Sequence, residues 1–305
     1  MKKTLNTIAI LAGILVLFSC ETRISPTLES APALLVVDAW INNKSVPQEI
    51  ILTRSQPYFE NQYPPAVEGA VVQVTDNNGK VFAFAEDNTK AGHYIWKGLP
   101  GESLGNVGQS YQLQVLVGGE TFTAVSKMGR VPAIDSIVFS REKRIGSTDT
   151  LTLAEFYATD PKGPGDAYWI RAYKNGSALD KPSEINVAFD AGFSPGGETD
   201  GVVFITPIRR AINPNRTDSN NRVLSPYDPG DSVNVQIHSI TLAAFNYLNE
   251  VAVQTDRPGG FQELFAAPLA NVSTNVKNTN PNGSAVVGFF NVSAVSSAGK
   301  KYKKK

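Results

Sequence analysis

Short runs of alternating apolar and polar residues, separated by turn residues, constrain this fold more than any other feature. In Ser110–Val117 apolar side chains occupy alternate positions, Gly118-Gly119 follows, and Glu120–Val125 alternates again. Successive side chains of a strand point to opposite faces, so this period predicts half-buried strands, and the glycine pair predicts a hairpin. By the same criteria we predict strands at 34–41, 49–54, 70–75, 80–85, 92–96, 110–117 and 120–125.

This set of strands predicts an immunoglobulin-like β-sandwich over residues 34–130, since about seven short strands in roughly 100 residues are typical of that architecture. The Cys and Trp spacing of antibody domains is absent, so the prediction concerns topology alone. A second β-rich domain is expected over 131–298, entered through a linker at 131–137 and closed by a strand at 285–292. The predicted fold class is therefore all-β, in two domains.

One segment, 241–254, departs from the two-residue period and predicts the one amphipathic helix. Four apolar residues recur at every third position and share one helix face: Leu242, Phe245, Leu248 and Val251. A lone amphipathic helix in a β-rich domain must bury its apolar stripe. We expect the stripe to pack on the sheet of the second domain.

Residues 1–19 have the pattern of a secretory signal peptide, with two lysines followed by the apolar run 8–18. That run is shorter than the roughly 20 apolar residues needed to cross a bilayer. It leads into Ser19-Cys20, where a small residue precedes the single cysteine of the chain, and this arrangement resembles a bacterial lipobox. The resemblance implies cleavage before Cys20 and lipid attachment to its sulfur, with residues 20–33 as a polar tether. We expect an exported protein held at a membrane.

The charge distribution argues against nucleic-acid binding. The chain has 28 basic and 28 acidic residues, but two lysines precede the N-terminal apolar run and five lie in the last six positions. Setting those seven aside leaves 21 basic residues against 28 acidic ones, so the folded body is mildly acidic. A nucleic-acid-binding domain would carry positive charge on its folded body. We expect residues 299–305 to form a solvated, lysine-rich tail that weakly attracts anionic lipid or glycan.

No pattern in the sequence predicts a catalytic residue, a cofactor or a metal site. Residues 101–105 match the Gly-x-Ser-x-Gly nucleophile elbow around Ser103, with His238 as a nominal base. That elbow requires a strand before the serine and a helix after it, whereas here a proline precedes and a strand follows. We interpret the segment as a loop, and His93 and His238 as ordinary strand residues.

Acidic residues in the Gly- and Pro-rich loops are interpreted as turn formers, which is the usual role of Asp there: Asp160, Asp166, Asp190, Glu198 and Asp200. Calcium binding by the loop 190–200 is an open alternative, although the spacing lacks the alternating ligands of an EF-hand. A carboxylate pair for glycoside hydrolysis also stays open, because such pairs meet only in three dimensions.

An aromatic, proline-rich loop carries the predicted binding residues Tyr58, Phe59 and Tyr63. Exposed loops on a rigid scaffold often bind partners. The alternative interpretation is a loop folded over its own core. The sequence favours neither.

Several segments, taken in order, resemble one bacterial lipoprotein family, known as domain of unknown function 4249 and found mainly in Bacteroidota. The segments that carry the resemblance are Val37–Ile41, Leu52–Phe59, Val67–Asp76, Tyr111–Val115, Thr121–Ala124, Pro132–Ile137, Asp160–Gly163, Tyr168–Tyr173, Gly230–Val235, His238–Ile240, Phe245–Leu248 and Val287–Val292. Each segment is weak by itself, whereas their shared order is specific. The family brings no defined catalytic residues to this chain.

The resemblance implies a lipoprotein anchored in the outer membrane through Cys20, on either face, and often encoded beside a TonB-dependent receptor. We therefore expect a non-enzymatic partner of such a transporter in nutrient uptake; the alternative is a glycan-binding or hydrolytic module with a site built from loops. Asp-Ser-Ile and Asp-Thr-Leu around Ser136 and Thr150 resemble Bacteroidota O-glycosylation sites. We expect glycan at one of these two residues, in or near the predicted linker.

Overall fold

The computed structural model describes residues 32–303 except 58, 59, 61, 145, 147, 148, 258 and 267. Contacts divide the chain into two units, Met1–Pro32 and Ala33–Lys305. The predicted signal peptide and Cys20 lie outside the described residues. No helix among the described residues is long and apolar enough to cross a membrane.

The described residues are mainly β, which confirms the all-β prediction. The strands of the first half are β1 Leu35–Asn42, β2 Gln48–Arg54, β3 Val71–Asp76, β4 Val81–Glu86, β5 His93–Trp96, β6 Ser110–Val117, β7 Glu120–Lys127 and β8 Ile134–Lys143. Those of the second half are β9 Thr150–Ala158, β10 Ala167–Lys174, β11 Ser177–Ala178, β12 Asn186–Phe189, β13 Ser232–Ile240, β14 Lys277–Asn278, β15 Val286–Ser293 and β16 Val295–Lys301. Two short 3-10 turns, Pro182–Glu184 and Gly260–Phe265, and two helices, α1 Thr206–Arg210 and α2 Leu242–Thr255, complete the described elements.

The first seven strands form the predicted sandwich. Strands β1, β2, β5 and β4 pair in that order, and β3, β6 and β7 form the facing set. This is the strand order of a constant-type immunoglobulin domain. Here β3 also pairs with β4, from Val72–Phe84 to Thr75–Val81, and this pairing joins both sets into one continuous sheet. The burial patterns of these strands alternate as their sequences predict, since the apolar face fills the core between the sets.

Strand β15 does not follow the predicted domain boundary. The closing strand was expected in the second domain, but β15 lies parallel to β1, from Leu35–Val286 to Asn42–Ser293, and completes the first sheet. The short strand β14 extends the opposite edge of the same sheet by pairing with β7. The first sheet therefore combines strands from the start of the described chain with β15, whereas β16 at the C-terminal end joins the second sheet. The physical reason is that β1 presents an unpaired edge whose backbone groups need partners.

A second sheet contains β11, β10, β13 and β16 in that order, with β12 also pairing with β10. A separate hairpin, β8 and β9, covers its core. The predicted linker at 131–137 is wrong from Ile134 onward, because β8 begins there.

The predicted lysine-rich tail is also corrected over its described part. Lys300 and Lys301 belong to β16, which pairs antiparallel with β13 from Ser232–Lys301 to His238–Val295. The Lys300 Nζ donates to the carbonyl oxygen of Ile137 at 2.6 Å. Pairing with β13 thus places these two residues in a strand although both remain exposed, whereas Lys304 and Lys305 lie outside the described residues.

The predicted helix is confirmed as α2, and the side-chain oxygen of Thr241 caps it by accepting from the backbone N–H of Ala244. Its buried face is slightly rotated from the predicted stripe. Ala244, Phe245 and Leu248 are buried, whereas Leu242 is 48% exposed. The helix packs on β10 and β12 but also contacts β15, so its apolar face lies where the two sheets meet.

Candidate functional site

The structure does not assemble the nucleophile-elbow pattern. Ser103 lies in the loop between β5 and β6, without the helix that the elbow requires. His238 lies on β13, and its Nε2 is 3.1 Å from the Oε1 of Gln236. His93 lies on β5 with its Nδ1 2.8 Å from the Oε1 of Glu49. Each histidine is therefore engaged by a neighbour within the sheets.

The other residues singled out from the sequence lie on the surface or outside the described residues. Tyr58 and Phe59 are outside them, whereas Tyr63 is 97% exposed. Ser136 and Thr150 are exposed, but they lie on the paired strands β8 and β9 rather than in a linker. The binding loop and the glycosylation sites stay predictions.

Three of the five acidic loop residues do converge. One carboxylate oxygen each from Asp160, Asp190 and Asp200 lie within 4.8 Å of one another. Asp160 accepts from the Tyr168 hydroxyl at 2.6 Å and from the backbone N–H of Gly201 at 3.0 Å. Burial raises the pKa of Asp160, and the neighbouring carboxylates add to that effect.

Backbone donors also occupy the other two carboxylates of this group. An oxygen of Asp190 accepts from the N–H groups of Gly165 and Asp166, and Asp200 accepts from the N–H of Gly163. Arg130 closes the arrangement by contacting Asp166 at 2.6 Å. Carboxylate oxygens of this kind can hold Ca²⁺. The hydrogen bonds by themselves account for a network that ties these loops together.

An aromatic cluster that the sequence did not predict lies where β1, β10, β15 and α2 meet. The Trp40 ring centroid is 5.1 Å from that of Trp169, 6.0 Å from Tyr247 and 5.7 Å from Phe289. Phe289 is buried, whereas the other three rings are partly exposed. A cleft of about 290 Å³ opens beside them, between the first sheet, the second sheet and α2. We call it the junction cleft.

Arg171, on β10, lines the junction cleft beside Trp169. Its guanidinium carbon lies 4.7 Å from the Trp169 ring centroid and 5.7 Å from that of Tyr173. Both contacts have cation–π geometry, because each distance is below about 6 Å. Among the described residues no carboxylate forms an ion pair with Arg171, so its N–H edge is available to a ligand.

The charge of Arg171 affects the pKa values of two neighbouring groups, His238 and Asp38. Burial lowers the pKa of His238 to about 3, and the positive charges of Arg171 and Lys44 act in the same direction. Asp38 keeps solvent access, yet the protein packed around it desolvates its carboxylate and raises its pKa, while Arg171 opposes the shift. His238 is therefore uncharged at neutral pH, and positive charge prevails around it.

A second feature is an exposed apolar surface beyond the end of α2. It comprises Val253, Phe261, Phe265 and Leu269, which are 58%, 76%, 79% and 56% exposed, and we call it the apolar patch. The rings of Phe261 and Phe265 lie edge to face, with centroids 5.7 Å apart. Large side chains so exposed, and so close together, indicate a contact surface.

Polar contacts fasten the backbone that carries the apolar patch. The amide of Gln254 accepts from the N–H of Ala270 at 3.0 Å, and Glu250 accepts from the N–H of Ser273 at 2.6 Å. Arg257 forms an ion pair with Glu263 inside the 3-10 turn. The polar groups thus bind back to α2 while the aromatic rings face solvent.

Comparison with known families decides the affiliation. The family described as Domain of unknown function (DUF4249) matches residues 21–298. The chain belongs to the DUF4249 family. The match begins one residue after Cys20 and covers both sheets, the junction cleft and the apolar patch. No curated protein matches the chain.

As a DUF4249 protein, the chain shares a family whose description names no activity. Sequence reasoning missed the junction cleft, although a signal exists. Trp40 and Trp169 each lie between buried neighbours on a strand, so their own positions face away from the local core. Two tryptophans that face away from the local core on separate strands are typical of a binding surface.

Proposed function

We propose that this DUF4249 protein is a non-enzymatic lipoprotein of the outer membrane that acts as the partner of a TonB-dependent transporter in nutrient uptake. The N-terminal pattern around Cys20 supports the anchor, and the order of family segments supports the class of partner. The observation that carries the proposal is the apolar patch. It supplies a surface suited to protein contact.

The patch fits a docking role because hydrogen bonds tie Ala270 and Ser273 beside it to α2 and because its side chains are not covered. Phe261 and Phe265 are each more than three-quarters exposed. Burying an aromatic ring in a partner removes a large apolar area from water, and such rings are frequent energetic centres of interfaces. A transporter with a complementary apolar surface would gain this energy on binding.

The lipid anchor makes a modest docking surface sufficient. Two proteins held in one membrane meet at a raised effective concentration, so a weak contact yields a stable pair. The sheets then act as a rigid frame beside the transporter. This role needs no catalytic group.

Capture of membrane partners tests the proposal. The intact, acylated protein is purified after mild crosslinking, and co-purified proteins are identified by mass spectrometry. We expect a TonB-dependent β-barrel transporter, and we expect its recovery to fall at least tenfold with the double variant Phe261→Ser and Phe265→Ser. The melting temperature should not change, because both rings are exposed.

Leu99→Ser provides the matched control, since Leu99 is 76% exposed but lies on the sandwich, in the loop after β5. This variant should recover the transporter as the native protein does. Equal recovery by the native protein and the double variant would refute docking through the patch. Recovery of no transporter at all would refute the proposed partnership. If protein-free vesicles retained the native protein but not the double variant, the patch would be assigned to lipid binding.

A further inference from the structure

The junction cleft lies apart from the apolar patch and bears on a different activity. Trp40 enters it from β1, Trp169 from β10 and Tyr247 from α2, so rings from three elements converge on one opening. Its volume of about 290 Å³ is close to the lower end of the range for small-molecule sites. The rings are partly exposed, and a flat apolar group can reach their surfaces.

Arg171 in the cleft differs from Arg130 and Arg209, which are also partly buried, because those two form ion pairs. Arg130 contacts Asp166 at 2.6 Å, and Arg209 contacts Glu155 at 2.7 Å. Arg171 forms no such ion pair among the described residues, and the rings of Trp169 and Tyr173 flank its guanidinium. Stacking fixes the plane of its guanidinium and leaves the N–H edge free to bind a carboxylate through two hydrogen bonds.

The acidic groups around the cleft leave this edge available. Glu184 already accepts from the backbone N–H groups of Lys181 at 3.1 Å and Asn215 at 3.3 Å. Asp180 lies at the exposed rim, where water screens its charge. Asp38 forms no ion pair with Arg171 among the described contacts, and the surrounding protein disfavours its charged form.

We propose that the junction cleft binds a small carboxylate that carries a flat apolar ring. Arg171 pairs with the carboxylate, and Trp40, Trp169 and Tyr247 enclose the ring. A guanidinium beside aromatic faces matches a ligand that is anionic at one end and flat and apolar at the other. A free aromatic acid and a peptide that ends in an aromatic residue share this chemistry.

Intrinsic fluorescence reports on the site directly, since Trp40 and Trp169 line the cleft while the third tryptophan, Trp96, packs against Phe82 in the sandwich core. The probe is 3-phenylpropanoate, and its neutral match is 3-phenylpropanamide. We expect saturable quenching by the acid with a dissociation constant at least tenfold lower than that of the amide. Equal affinity for acid and amide, or no saturable change with either, would overturn the proposal.

Arg171→Gln tests the pairing, because glutamine keeps a polar side chain but removes the charge. We expect it to bind acid and amide with the same weak affinity. Arg141→Gln is the control, since Arg141 is exposed on β8 away from the cleft, and it should bind as the native protein does. Unchanged discrimination in a folded Arg171→Gln protein, as judged by its melting curve, would remove Arg171 from the site.

A second probe separates the two sources of the ligand. N-acetylglycyl-phenylalanine presents the same acid at a peptide end; tighter binding than that of 3-phenylpropanoate assigns the cleft to peptides, and weaker binding assigns it to free acids. This proposal does not depend on the transporter partnership. The Phe261 and Phe265 variant should retain the probe, and Arg171→Gln should retain the transporter.

Discussion

At the scale of single residues, the environment of His238 has a measurable consequence. The side chain is 7% exposed, and Arg171 and Lys44 add positive charge nearby. These conditions lower its pKa from 6.5 to about 3 in the folded protein. Below pH 6.5 the unfolded chain binds a proton that the folded protein does not, so the free energy of unfolding falls as the pH falls.

We predict that His238→Gln flattens this dependence. One proton corresponds to a slope of about 1.4 kcal/mol per pH unit, and the native protein should approach that extra slope between pH 6 and pH 5. Urea unfolding at several pH values measures it in both proteins. Parallel stability profiles for the two proteins over this interval would show that His238 is not held neutral by the fold.

At the scale of elements, the parallel pairing of β1 and β15 depends on Gly288. Its φ is +101°, in the region that favours glycine, and a Cβ there would lie 2.0 Å from the carbonyl oxygen of Val37. Such contact does not occur with real side chains, and the neighbour is backbone that cannot rotate away. The two strands can therefore approach this closely only because residue 288 has no side chain.

Gly288→Ala should destabilise the protein by at least about 3 kcal/mol, because it combines backbone strain with displacement of β1. Gly299→Ala on neighbouring β16 is a fair comparison, since its added Cβ meets nothing closer than 3.3 Å. That variant should change stability by no more than about 1 kcal/mol. Chemical unfolding of both proteins decides the matter; similar midpoints would mean that the β1–β15 pairing adapts to a side chain.

Helix α2 permits a second test at this scale. Phe245 is 4% exposed and packs edge to face on Phe189 of β12, with ring centroids 6.0 Å apart. Phe245→Ala should cost about 3–5 kcal/mol, as expected for the loss of a buried ring. Leu242→Ala should cost no more than about 1 kcal/mol because Leu242 is half exposed, although the sequence placed both on one stripe. Thermal unfolding measures both losses. If the two variants lost the same stability, the result would contradict the burial of Phe245 and the exposure of Leu242.

At the scale of the whole molecule, attachment to the membrane depends on one predicted residue. Cys20 is the single thiol of the chain and lies outside the described residues. Cys20→Ser removes the sulfur that would carry lipid, so we predict release of the protein from membranes. Several buried acyl methylenes at about 0.8 kcal/mol each explain the strength of such an anchor.

Fractionation after high-salt and carbonate washes measures this release. Ser19→Ala, which keeps a small residue before Cys20, should remain in the membrane pellet with the native protein. If Cys20→Ser stays there too, the anchor is the uncleaved apolar run rather than a lipid. The junction cleft and the apolar patch would then still be open to the tests described above.

How much of the protein the sequence determined depends on the range of the interactions involved. The first seven strands, the Gly118-Gly119 hairpin and the helix at 241–254 follow from side-chain period and turn chemistry, which act between residues close in the chain. The same local information placed Leu242 on the buried stripe and residues 300–301 in solvent. The prediction for Leu242 was wrong because contacts with distant segments decide which face of the helix is buried. Residues 300–301 are exposed as expected, but they belong to a strand because β13, a distant segment, pairs with them.

Only the tertiary structure decided the features that carry function. Val286–Ser293 joins the first sheet beside β1, and Trp40 meets Trp169 and Tyr247 across a large separation in sequence. The alternation of Trp40 and Trp169 with apolar neighbours indicates that each faces away from its local core, but no local feature indicates which distant residues it meets. Their meeting depends on which free strand edges pair when the chain folds, because backbone hydrogen bonding at β1 and β13 selects those partners and thereby places the rings together.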